Sequence, residues 1–157
     1  MAEPILLRAT ASVVIRAEPG ELFDAWLDPQ RAARFLAAGD MAVSEIALDP
    51  REGGEFRIVM RGEREAIEHR GRYVLIERPR RLVFTWVSPG TDWRLSLVSV
   101  VFTPVAGGVR IDLEHEGLPD ADRTRRHQRG WGTILEKLGK LAEALSSGHG
   151  TAVTGKE

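Results

Sequence analysis

The sequence predicts an α+β protein in which about seven antiparallel strands form one sheet and a long amphipathic helix ends the domain. Apolar and polar residues alternate in six segments between residues 42 and 116, which turn signals such as REGG and AGG separate. From Asp120 to about Leu145 apolar residues instead recur every three or four positions, as on one face of a helix. One more strand and two short helices precede these segments.

The chain has 157 residues, which predicts one domain at residues 1–146 and a disordered tail at 147–157. With 43% hydrophobic and 29% charged residues, the composition is that of a soluble globular protein. The net charge of −1 argues against nucleic acid as a partner. No apolar run approaches the length of a membrane span and no signal peptide is recognisable, so we expect no membrane association and a cytoplasmic location. The absence of cysteine excludes disulfides and thiolate metal sites.

The first strand is expected at about residues 5–16, before Pro19. In the segment PGELFDAWLDP, Leu22, Phe23, Trp26 and Leu27 fall on one helical face. Asp28 followed by Pro29 has the pattern of an N-cap and a first helical residue, which predicts a second short helix through QRAARFL. Two short helices therefore interrupt the sheet after its first strand.

Strand alternation assigns side chains to the core face of the sheet. In FRIVMR, Phe56, Ile58 and Met60 share one face, and the charged Arg57 and Arg61 take the other. The same reasoning gives the remaining inward residues: Ile67, His69, Gly71, Tyr73, Leu75, Leu82, Phe84, Trp86, Val98, Val100, Phe102, Val109, Ile111, Leu113 and His115. On the terminal helix, Trp131, Ile134 and Leu135 belong to the apolar stripe.

Three histidines fall on these inward surfaces. His69 and His115 lie on strands, and His127 lies one helical turn before Trp131. A buried imidazole needs hydrogen-bond partners, so each is a candidate either for a polar group in a cavity or for a satisfied core residue. Three imidazoles would suffice for zinc, but their spacing contains no local ligand motif, and we predict neither metal nor cofactor.

Several stretches resemble one known family: ELFDAWLDP, LDPREGGEFRIVMRG, RGRYVLIERPRRLVFTW, VVFTPVAGGVRIDLEHEGLP and RHQRGWGTILEKL. They resemble the bacterial single-domain relatives of the activator of the 90 kDa heat-shock protein ATPase, in the START-like (SRPBCC) helix-grip superfamily. The resemblance covers roughly residues 8–146. It implies a curved antiparallel sheet around the C-terminal helix, with a cavity between them in many members. Where members commonly carry paired tryptophans after the first two helices, this chain has Phe35 and Leu36.

We therefore expect a binding protein that holds a small, mostly apolar molecule between sheet and helix. Aromatic side chains also build ordinary cores, so packing is the competing interpretation for each candidate. The candidate ligand-binding residues are Trp26, Phe35, Phe56, Met60, His69, Tyr73, Phe84, Trp86, His115, His127, Trp131, Ile134 and Leu135.

Two other functions compete with ligand binding. The resemblance implies a protein-interaction module that contacts a chaperone. The wider superfamily also contains cyclases and hydrolases, so a small enzyme is a further alternative, in which His115 or His127 would act with Tyr73 or a carboxylate. The chain has no GxSxG nucleophile motif, and enzymatic activity is not our expectation. A homodimer through Leu97 and Val101 on the outer sheet face is a candidate assembly.

Overall fold

The computed structural model describes the backbone of residues 7–155 and the side chains of residues 7–145. Seven strands, three α-helices and one 3₁₀ turn make up this part of the chain. In chain order they are β1 (Leu7–Ile15), α1 (Pro19–Leu27), α2 (Pro29–Ala32), β2 (Ala42–Leu48), β3 (Glu55–Arg61), β4 (Ala66–Glu77), β5 (Arg81–Trp86), the 3₁₀ turn (Pro89–Thr91), β6 (Ser96–Val105), β7 (Gly108–Leu118) and α3 (Ala121–Gly155).

All seven strands belong to one curved antiparallel sheet in the order β1-β7-β6-β5-β4-β3-β2. Strands β2 to β7 follow one another as a meander, and β1 pairs with β7 along its whole length. Helix α3 packs mainly against β1 and β7. The predicted α+β fold, with two short helices after the first strand and a long C-terminal helix, is confirmed.

The predicted core face of the sheet is correct on most strands, with one error on β4. Phe56, Ile58 and Met60 are buried, as are the inward residues of β5, β6 and β7. Leu75 was expected to face inward, but the pairing register shifts between Tyr73 and Leu75. The extra residue, Val74, is 52% exposed, and beyond it Ile76 rather than Leu75 packs against the core. A β-bulge reverses the alternation of every residue that follows it.

Asp28 caps α2 as the sequence predicts. Its side chain accepts a hydrogen bond from the backbone N–H of Gln30 at 3.2 Å and from the guanidinium of Arg31 at 2.8 Å. The helix is shorter than predicted, because it ends at Ala32 and the chain turns before Phe35. That turn directs Phe35 into the core, where it is fully buried.

Helix α3 presents the expected apolar stripe to the sheet, with Trp131, Ile134 and Leu138 buried. Its backbone remains helical to Gly155, ten residues beyond the predicted end at Leu145. The side chains of residues 146–157 lie outside the described part, so the predicted domain boundary and tail stay predictions. Within residues 7–155, no helix combines the length and the hydrophobicity that a membrane-spanning segment requires.

Candidate ligand-binding cleft

A cleft of about 410 Å³ opens between the sheet and the first turns of α3. Strands β3, β4 and β5 supply one wall, α3 supplies the opposite wall, and the 3₁₀ turn closes one side. Its apolar surface consists of Ala38, Met41, Met60, Ile67, Trp86, Pro89, Trp131 and Ile134. The remaining lining residues are Glu65, Gly90, Arg123, Arg126, His127 and Gly130.

The loop between α2 and β2 forms the lip of this cleft and is tied to α3. The backbone N–H of Gly39 donates to the Thr133 hydroxyl at 2.8 Å. The Lys137 ammonium group donates to the carbonyl oxygens of Ala37 and Met41. These bonds hold the lip residues Ala38 and Met41 at a fixed distance from the helix.

Beyond the lip the cleft continues into a wider groove of about 1000 Å³. Three arginines and three acidic residues line that groove, so its charges balance: Arg61, Arg126, Arg129, Asp40, Glu63 and Glu65. At the cleft itself, Arg123 and Arg126 form ion pairs with Asp120 and Asp122, at 2.6 and 2.8 Å. The entrance therefore carries no large excess of either charge.

The aromatic interior behind the cleft is filled. Phe56 lies 5.3 Å from Tyr73 and 5.6 Å from Phe84 between ring centroids, and Trp26 lies 5.1 Å from Phe35. The space left among these rings is about 10 Å³, which is the volume needed by about one water molecule. This end of the space between sheet and helices is an ordinary packed core.

Gly71 permits this packing where β3 and β4 pair. It lies opposite Phe56 in the ladder. A Cβ at position 71 would stand 2.2 Å from the Phe56 ring and 2.0 Å from the Thr85 carbonyl oxygen. Only glycine leaves room for the aromatic ring to lie over the strand.

Trp86 separates the filled interior from the cleft. Its ring centroid lies 5.9 Å from that of Phe56 on the interior side and 5.1 Å from that of Trp131 on the cleft side. The ring of His69 lies 4.9 Å away from that of Trp86. His69 is buried, and its Nδ1 has no hydrogen-bond partner among the described residues. The same indole is thus part of both regions.

His115, on the inner face of β7, joins α3 to the sheet through hydrogen bonds. The indole N–H of Trp131 donates to His115 Nδ1 at 2.9 Å. The other nitrogen, Nε2, lies 2.7 Å from the hydroxyl of Ser96, which donates to the Trp86 carbonyl oxygen at 2.6 Å. Since an indole can only donate, His115 is the tautomer with its proton on Nε2. Both of its nitrogens are occupied, and the residue fixes the orientation of the Trp131 ring.

His127 is half-buried and arranged differently. Its Nδ1 lies 2.7 Å from the backbone carbonyl oxygen of Arg123, one turn earlier in α3. Its ring centroid is 5.0 Å from that of His115. Nε2 has no hydrogen-bond partner among the described residues, and the ring edge that carries it lies against Gly90.

Burial controls the protonation of these groups. It lowers the pKa of His115 to about 3, and the neighbouring His127 acts in the same direction. Burial likewise lowers the pKa of His69 to about 4 and shifts the pKa of His127 below its usual value. The pKa of the Tyr73 hydroxyl is raised by burial. All three imidazoles are therefore neutral near neutral pH.

The structure divides the thirteen candidate residues between the two regions. Those that line the cleft are Met60, Trp86, His127, Trp131 and Ile134. Those in the filled core or at its margin are Trp26, Phe35, Phe56, His69, Tyr73, Phe84 and Leu135. His115 lies behind Trp131. The described residues contain no cluster of three His, Cys, Asp or Glu side chains arranged to hold a metal ion.

Several cleft residues were not among the sequence-based candidates. Pro89 and Gly90 belong to a segment that the sequence marks only as a turn, and Ala38 and Met41 belong to a loop. Ile67 is also missing from the candidates, although strand alternation correctly places it on the inner face of the sheet. No local pattern indicates that a turn after β5 faces a helix more than thirty residues later.

Comparison with known proteins identifies the family. The family model described as "Activator of Hsp90 ATPase homolog 1-like protein" matches residues 16–143. No curated protein matches the chain in sequence. Among solved structures, a protein from Chromobacterium violaceum is similar with a TM-score of 0.75, at 23% identity over 89% of this chain and 99% of that one.

Two further solved structures have a similar fold. A Staphylococcus aureus protein of unknown function has a TM-score of 0.77, at 15% identity over 91% of this chain and 97% of its own. The AHSA1 protein of Silicibacter pomeroyi has a TM-score of 0.72, at 27% identity over 85% of this chain and 95% of its own. The predicted resemblance is confirmed, and the chain belongs to the Activator of Hsp90 ATPase homolog 1-like family.

Proposed function

We propose that this protein binds a small, mostly apolar molecule in the cleft between the sheet and α3. The observation that carries this proposal is the contrast between a cleft of about 410 Å³ and an adjoining core filled by aromatic rings. Sites for small molecules commonly occupy about 300–1,000 Å³ and combine apolar walls with a few polar groups. Met60, Trp86, Trp131 and Ile134 supply such walls here.

The candidate residues that do not line the cleft hold its wall residues in position. His115 holds the Trp131 indole in place through its Nδ1. His69 and the aromatic core lie behind Trp86 and support its ring. A cleft with fixed walls loses less conformational entropy when a ligand binds, which favours affinity.

An unbiased thermal-shift screen tests the proposal, since a ligand that prefers the folded state raises Tm. The variant Ala38→Phe places a ring at the lip of the cleft and should abolish the shifts. Ala33→Phe is the matched control, because Ala33 is also half-buried but does not line the cleft. Shifts that survive in Ala38→Phe, or a screen without any hit, would contradict binding in this cleft.

A chaperone contact is a second candidate function, because the family description names an activator of the Hsp90 ATPase. Its test is the ATPase rate of purified Hsp90 with and without this protein. Stimulation that Ala38→Phe leaves unchanged would assign the activity to a surface outside the cleft. Stimulation that disappears in this variant would place the contact at the lip.

The third alternative, a small enzyme, uses the same cleft. Its test is mass spectrometry of each screening hit after incubation with the protein. Conversion of a hit by the wild type, but not by a His127→Phe variant that still binds it, would show catalysis. Recovery of every hit unchanged would leave binding as the function.

A further inference from the structure

We propose that the cleft selects neutral molecules that carry a hydroxyl or N–H donor on an otherwise apolar body, and that Nε2 of His127 accepts the hydrogen bond from that donor. The inference rests on the proposed function, since it concerns the same cleft. It adds a chemical class of ligand and the atom that recognises it.

The tautomer of His127 follows from its contact with the backbone. A carbonyl oxygen only accepts hydrogen bonds, so Nδ1, at 2.7 Å from the Arg123 oxygen, carries the proton and donates. In a neutral imidazole the other nitrogen then has a free lone pair. Burial lowers the pKa of His127 and so favours this neutral form. Nε2 is therefore an acceptor, and it has no partner among the described residues.

Gly90 approaches the edge of the imidazole that carries this lone pair. Both residues line the cleft. A Cβ at position 90 would lie 3.3 Å from Nε2 and 3.0 Å from Cε1 of His127. Any larger residue at position 90 would therefore crowd this edge of the imidazole, and glycine places no side chain against it.

The other polar groups near the cleft already have partners or face water. Trp131 and Ser96 occupy the two nitrogens of His115. The guanidinium groups of Arg123 and Arg126 are paired with aspartates. Glu65 is exposed at the entrance, where water can satisfy its carboxylate. Inside the cleft, Nε2 of His127 is left as the acceptor that a ligand would meet.

A ligand without a donor would cover this lone pair and displace its water without replacing the hydrogen bond. Leaving a polar atom unpaired on binding carries a penalty, which is why sites built around a hydrogen bond reject analogues that lack the matching group. Charged ligands gain no comparable advantage, because the groove at the entrance carries equal numbers of arginines and acidic residues.

The test uses two probes of nearly equal shape, 2-naphthol and its methyl ether 2-methoxynaphthalene, titrated by isothermal calorimetry. We expect wild-type protein to bind the naphthol about 3- to 10-fold more tightly, as for one neutral hydrogen bond. His127→Phe should bind both probes with equal affinity. Gly90→Ala should also reduce the preference, because the new methyl group would lie 3.3 Å from Nε2 and restrict access to it. Arg125→Phe, on the exposed face of the same helix, is the control and should keep the preference.

The outcomes separate this inference from the function on which it rests. Equal binding of both probes to the wild type, or a preference that persists in His127→Phe, would overturn the role of Nε2 and leave ligand binding intact. Binding of neither probe to the wild type would contradict both proposals. Circular dichroism of each variant shows that a changed preference does not come from unfolding.

Discussion

The two ends of the space between the sheet and its helices differ in how completely they are filled. At one end α1 and α2 cover the sheet, and Trp26 and Phe35 pack against the aromatic residues of β3 to β5, leaving about 10 Å³. At the other end α3, a short 3₁₀ turn and the loop between α2 and β2 cover the sheet, and about 410 Å³ stays open. A single helix cannot follow the curvature of a wide sheet, so space remains wherever no second element fills it.

The neighbouring histidines of this region show the same difference in their hydrogen bonds. His115 is fully buried, and both of its nitrogens have partners within the protein. His127 lies 5.0 Å from it between ring centroids, at the wall of the cleft, and one of its nitrogens has no hydrogen-bond partner within the described part of the chain. The first residue supports the structure, and we assign the second to the ligand.

The largest expected effect concerns the filled end. Phe84→Ala should lower the free energy of unfolding by about 3–5 kcal/mol, because it removes a ring that contacts four aromatic neighbours and leaves a cavity. Ile67 is a half-buried residue of the cleft wall, so Ile67→Ala should lower the free energy of unfolding by clearly less, about 1 kcal/mol. Urea unfolding measures both. Equal losses would show that the two ends are not packed differently.

The pH dependence of stability tests the buried state of His115. The pKa of His115 is about 3 in the folded protein and about 6.5 in an unfolded chain. Between these values the unfolded state binds more protons, so stability present above pH 6.5 is lost as the pH falls toward 3. The slope should reach about 1.4 kcal/mol per pH unit from this residue.

Urea unfolding of wild type and His115→Gln between pH 7 and pH 4 isolates this contribution. His69 and the surface carboxylates are common to both proteins, so their effects cancel in the difference. The variant should be less stable at pH 7 and should show a shallower loss on acidification. Parallel curves would mean that His115 is not held neutral by burial.

A smaller effect is expected for the hydroxyl that completes the His115 network. Ser96→Ala leaves the Nε2 proton of His115 without an acceptor and should cost about 1–2 kcal/mol. Ser99→Ala is the matched control on the same strand, since Ser99 is only half-buried, and should stay within about 0.5 kcal/mol. If both variants were equally stable, the hydrogen bonds around His115 would not contribute to folding.

The smallest effect on stability is expected at His127. His127→Leu removes one hydrogen bond to a helix carbonyl and should change the free energy of unfolding by about 0.5 kcal/mol or less. Thermal unfolding gives the stability, and naphthol titration of the same sample gives the binding. A large destabilisation would assign His127 to the core, together with His115.

Much of the architecture is predictable because it depends on periodicity. Alternation along β3 places Phe56 and Met60 inside. Two-residue spacing of apolar residues in the middle of the chain predicts the strands, and three- to four-residue spacing after Asp120 predicts the long helix. The bulge at Val74 is not predictable in this way, because inserting one residue leaves no local signal in an apolar strand. The candidate list is similarly limited: alternation tells which side chains face inward, but not whether they meet other rings or open space.

The element order, the inner face of the sheet and the inward position of His115 follow from the amino-acid sequence alone, since each of them depends on spacing along the chain. Three contacts depend on three-dimensional packing: Trp131 and Ser96 satisfy His115, Gly90 lies against His127, and aromatic rings close the other end. These contacts join residues that are distant in the chain, and their distances follow from how the curved sheet, the turn and the helix pack together.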